Sequence, residues 1–76
     1  LPESLPIFDD IGTLFGTVVY QEEGGRKKIL FRMRDSTLIE MPDLAKFTEF
    51  LRRNSIPEEE ISKAIRFFNE KMFGVG

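Results

Sequence analysis

Two hydrophobic periods divide the chain. From Leu14 to Met33 apolar side chains recur at every second position, the spacing of a strand with one buried face. From Leu44 to Met72 they recur every three or four positions, the spacing of helices packed along one stripe. The pair Gly24-Gly25 falls inside the first region. Both positions tolerate positive φ, which a two-residue hairpin turn requires. The pattern therefore predicts strands over residues 12–23 and 26–34. Folding them across the diglycine sets Glu23 opposite Arg26, Tyr20 opposite Ile29, Val18 opposite Phe31 and Gly16 opposite Met33. One face then collects Leu14, Val18, Tyr20, Ile29, Phe31 and Met33, the expected buried set. The other collects Phe15, Thr17, Val19, Gln21, Lys28, Leu30, Arg32 and Arg34.

Asp35-Ser36-Thr37 reads as a polar turn, and residues 38–41 as a third, short strand. A three-residue loop sends Ile39 and Met41 to the core and sets Glu40 beside Arg32. The alternative register buries an unpaired carboxylate and is disfavoured. Helices follow over 43–53 and 57–73. Asp43 stands where an N-cap or first-turn acid belongs, and Asn54 marks a stop after Arg52 and Arg53. Ser55 with Glu58 three residues later fits a capping box, and Glu58-Glu59-Glu60 fills the next first turn with acids. Glu49–Arg53 and Glu59–Lys63 are spaced as supporting ion pairs. Residues 1–11, with Pro2 and Pro6, read as an extended lead-in whose end docks on the core through Ile7, Phe8 and Ile11. The predicted fold is α+β, a three-stranded antiparallel β-meander followed by an αα-hairpin packed on one sheet face (β-β-β-α-α), with residues 12–76 as a single domain.

Composition narrows the chemistry. With 76 residues the core is small, and neither cysteine nor histidine is present. Disulfides are excluded, and zinc-type sites and histidine- or thiol-based catalysis lose their usual ligands and bases. Asp9-Asp10 is an adjacent acid pair, but neighbouring side chains of an extended segment diverge, so a turn role is expected. Gly24-Gly25 opens no helix and is no phosphate loop. No enzyme activity, cofactor or metal is expected. Net charge is −2, no apolar run reaches membrane-spanning length, and the cytoplasm is the favoured location. The first residue is Leu1, not Met, which points to a fragment, a processed product or a trimmed chain. Two Asn and one Gln against 32% charged residues match a thermophile's composition.

Two surface readings follow. Phe15, Val19 and Leu30 place apolar groups on the outer sheet face, with Arg32 and Arg34 beside them. Such a patch predicts a protein partner or a second copy of the chain, and an open strand edge offers another docking mode. The alternative starts from residues 26–34, which hold five of the eleven cations and no acid. Lys28, Arg32 and Arg34 with Phe15 would then bind single-stranded nucleic acid by phosphate contact and stacking. A helix-turn-helix reading fails because Glu58-Glu59-Glu60 would face the phosphates.

Overall fold

The computed structural model describes residues 3–75, so what was expected of Leu1, Pro2 and Gly76 lies outside the described residues. Four strands form one antiparallel sheet in chain order: β1 (Ser4–Phe8), β2 (Leu14–Glu23), β3 (Arg26–Met33) and β4 (Leu38–Glu40). Helices α1 (Leu44–Arg53) and α2 (Glu58–Phe73) follow and cover one face. The α+β arrangement of a meander and two helices is the predicted one. The sheet gains a strand, however, because the lead-in pairs with β2. Proline is compatible with an edge strand, where its missing N–H faces away from the ladder.

The register across the diglycine is the expected one from Glu23↔Arg26 to Gly16↔Met33. Both glycines adopt positive φ, 56° and 81°. Ile7, Val18, Ile29 and Phe31 form the sheet side of the core and are almost wholly inaccessible. Phe47 and Leu51 of α1, with Ile61, Ala64, Phe67 and Phe68 of α2, close it from above. Within α2, Ile65 and Met72 are only partly buried against this core.

One end of the sheet departs from simple alternation. Ile7 faces Gly16 and Phe8 faces Leu14, so Phe15 is the extra residue of a β-bulge. The bulge turns Phe15 toward the helices, where its ring lies 5.5 Å from Phe31 and 5.8 Å from Phe50. Leu14 moves the other way and joins Phe8 on the outer face. The placement of Phe15 outside and Leu14 inside is thus reversed. Gly16 makes room for this cluster, because a Cβ there would sit 2.3 Å from Cε2 of Phe31.

Four residues separate β3 from β4, and because the Met33 N–H donates to the Thr37 carbonyl at 2.8 Å the three-residue turn is 34–36 rather than the expected 35–37. Strand β3 ends at Met33, and Arg34 stands in the turn. Ser36, not Thr37, takes the left-handed conformation (φ 73°), and Asp35 Oδ1 accepts the Thr37 N–H at 2.9 Å. Met41 is buried and hydrogen-bonds Ile29. Glu40 lies outside, opposite Leu30, while Arg32 is opposite Leu38.

Asp43 caps α1 by accepting the Ala45 N–H at 2.8 Å. The expected capping box at Ser55 does not form, since Pro57 is the N-cap of α2 and no side chain caps it. Ser55 instead closes α1 at φ 60°. The Ser55 and Ile56 N–H groups reach the Arg52 and Leu51 carbonyls, a Schellman closure in which both Ile56 and Leu51 are buried in the core. Because serine bears left-handed strain that glycine avoids, Ser55→Gly is expected to raise stability by about 0.5–1 kcal/mol, read from a urea midpoint. Glu49–Arg53 pairs as expected, but Lys63 binds Glu60 rather than Glu59.

Glu60 joins the two halves of the fold. It is 8% exposed, and its Oε1 accepts the Phe8 N–H at 3.0 Å while Oε2 takes Lys63 Nζ at 2.9 Å. Burial alone would raise its pKa, but the Phe8 N–H and the Lys63 ammonium outweigh that and hold the carboxyl below its usual range.

Candidate functional site

Among the described residues, no element covers the sheet face opposite the helices. Paired residues share a face, so the register maps this surface directly. Phe8 and Leu14 lie across from each other at one end. Next comes the row Pro6, Thr17, Arg32, Leu38, and then Ser4, Val19, Leu30, Glu40. Gln21 with Lys28 and Glu23 with Arg26 finish the far end. Leu38 is 52% exposed, Phe8 39% and Leu14 38%, while Val19 and Leu30 are partly covered by their neighbours. These apolar groups lie on neighbouring strands of one face, interrupted by Thr17 and Arg32, an arrangement that suits an interaction site.

Of the residues predicted for a partner surface, Val19, Leu30 and Arg32 sit together on this face. Phe15 does not, because the bulge packs it against Phe31 and Phe50. Arg34 is exposed in the turn beyond β3 rather than in the strand. Phe8, Leu14, Pro6 and Leu38 complete the surface and were missed. Phe8 and Ile11 were expected on the core, yet Ile11 is 82% exposed. Gly16 carried the available signal, since glycine within a strand often marks a bulge and hence a change of facing.

For the nucleic-acid alternative, Lys28 and Arg32 share the outer face with Arg26 along one strand, and Phe8 replaces Phe15 as its aromatic. Among the described residues, ion pairs involve Arg52, Arg53 and Lys63. The cations of β3 have none, so Glu22, Glu23 and Glu40 do not neutralise them by direct contact.

Both sheet edges are blunted. The Tyr20 N–H donates to the Glu3 carbonyl and the Asp9 N–H to the Thr13 carbonyl, so odd residues of β1 bond inward and even ones point outward. Of those, Pro6 has no N–H and the Phe8 N–H is taken by Glu60. Strand β4 is three residues long and is followed at once by Met41 and Pro42. Short strands and proline both discourage strand addition. The open edge expected as a docking site is therefore closed to extended pairing on the β1 side and minimal on the β4 side.

Two hollows flank the sheet. One is lined by Glu3, Tyr20, Gln21, Glu22, Glu23 and Gly25. There the Tyr20 hydroxyl donates to Glu22 at 3.1 Å, and burial followed by that acidic neighbour raises its pKa. The other, about 190 Å³, lies between β1 and α2 and is lined by Leu5, Lys63, Arg66, Phe67 and Glu70. Among the described residues, no helix is long and apolar enough to cross a membrane. Comparison with protein-family models, curated proteins and solved structures found no match.

Proposed function

We propose that this chain is a non-enzymatic protein-interaction and assembly module that stacks the outer face of its sheet on the same face of a second copy. The observation that supports it is the exposed apolar surface of Phe8, Leu14 and Leu38, with the half-buried Val19 and Leu30 on the same face, while both helices lie on the other side. A self-complementary contact also needs both charge signs on one surface. Glu23, Arg26, Lys28, Arg32 and Glu40 supply them by register. Blunted edges favour stacking of faces over strand addition. The absence of histidine and cysteine from the sequence supports the non-enzymatic part of the reading.

Sedimentation of the wild type against Leu30→Glu tests this. The wild type is expected to dimerise at protein concentrations of about 100 µM, and the variant, which buries a lone carboxylate in the contact, to bind itself at least ~10-fold more weakly. Equal monomers would overturn the reading. The unpaired cations of β3 favour a second one, single-strand binding through Lys28 and Arg32 with the nearby Arg34. Mixed oligonucleotides bound by the monomer, with affinity falling steeply as salt rises, would support that alternative.

A further inference from the structure

The β1–β2 turn presents Ile11 at 82% exposure, the highest of any large apolar side chain among the described residues. The turn is tightly bonded. Asp9 Oδ1 accepts the Ile11 N–H at 3.1 Å and the Thr13 N–H at 2.8 Å. The Asp9 carbonyl accepts the Gly12 N–H at 3.1 Å, and the Asp9 N–H reaches the Thr13 carbonyl at 2.8 Å. A projection held this firmly loses little freedom on binding, which favours it as an anchor. The exposed Asp10 beside it has no ion pair among the described residues.

The hollow between β1 and α2 has the complementary features. Leu5 and Phe67 supply an apolar lining in about 190 Å³. A cavity of about 150 Å³ already holds benzene, so an isoleucine side chain fits by size. Lys63 and Arg66 also line it. Lys63 is held by Glu60, whereas Arg66 has no ion pair among the described residues and is free to meet an acid. Glu70 opposes an incoming carboxylate, but the lining otherwise matches an apolar tip with an acidic neighbour. The other hollow, with Glu3, Glu22 and Glu23, repels that tip.

We propose that the Asp10-Ile11 tip of one copy docks in the β1–α2 hollow of the next, with Ile11 on Leu5 and Phe67 and Asp10 against Arg66. Tip and hollow are different surfaces, so the contact is head-to-tail and extends into rings or filaments. It goes beyond the stacked-face dimer and uses none of that surface's residues.

The test is made in the full chain carrying Leu30→Glu, which removes the stacked-face contact, with circular dichroism to confirm that each variant folds. Concentration-dependent association is expected in that background, weakened at least ~10-fold by Ile11→Asp or by Arg66→Glu. Ile11→Asp retains its hollow and Arg66→Glu retains its tip, so an equimolar mixture of the two should form a one-to-one complex that grows no further. A monomeric Leu30→Glu background, or a mixture as monomeric as each variant alone, would overturn the head-to-tail contact. Neither result bears on stacking, which is read from the difference between the wild type and Leu30→Glu.

Discussion

Gly16→Ala is expected to lower stability by about 3 kcal/mol, the upper end of overpacking costs in a filled core. For a chain of this size that corresponds to a fall in Tm of roughly 15–20 °C, measurable by calorimetry or circular dichroism. The added methyl would meet Phe31 Cε2 at 2.3 Å, Phe31 Cζ at 2.5 Å and the Arg32 carbonyl oxygen at 2.8 Å. The Phe31 ring has nowhere to retreat. It is fully buried, with Phe15, Phe47 and Phe50 at centroid distances of 5.5, 6.1 and 5.5 Å. The carbonyl belongs to the neighbouring strand and moves only if the ladder does. Adding Phe31→Leu to Gly16→Ala should therefore recover part of the loss, although Phe31→Leu is harmful by itself. Strict additivity of the two would show that the ring is not what the methyl strikes.

Glu60→Ala is expected to cost about 2 kcal/mol, because it leaves the Phe8 N–H without its acceptor where no neighbouring strand can replace it. Glu60→Gln keeps an acceptor but loses the charge, and should cost about half as much. The pH dependence has a definite sign. The folded carboxyl titrates below the unfolded one, so its contribution is complete above the ordinary glutamate range. That contribution is lost as pH falls through that range to the lower folded value. Wild type and Glu60→Gln should differ most near neutrality and converge once the pH has fallen below the range in which the folded carboxyl titrates. A stability gap that stays constant with pH would refute the role of the charge.

The register of β2 on β3 was readable because two adjacent glycines leave one economical turn, and apolar alternation then fixes every facing residue. The same alternation failed at Phe15, since a bulge adds a residue without changing the type of any. Strand β1 was hidden by Pro6, which excludes a central strand and permits an edge. Ser55 was ambiguous for a different reason: a serine between two helices can cap the second or close the first, and the bond from the Ile56 N–H to the Leu51 carbonyl decides for closure. Glu60 sat within a run of three acids that helix electrostatics already explained, so its bond to a strand 52 residues earlier had no local signature. For the candidate surface, Val19, Leu30 and Arg32 were legible from parity alone. Phe8, Leu14 and Leu38 depended on the bulge, the fourth strand and the shifted loop.

Because the strands lie side by side in the order in which they occur along the polypeptide, each finds its neighbour through a short loop, and such low contact order belongs to rapid folders. The Glu60–Phe8 bond spans most of the chain and is expected to form after the rate-limiting barrier. Stopped-flow measurements on Glu60→Ala should then show faster unfolding with the refolding limb almost unmoved.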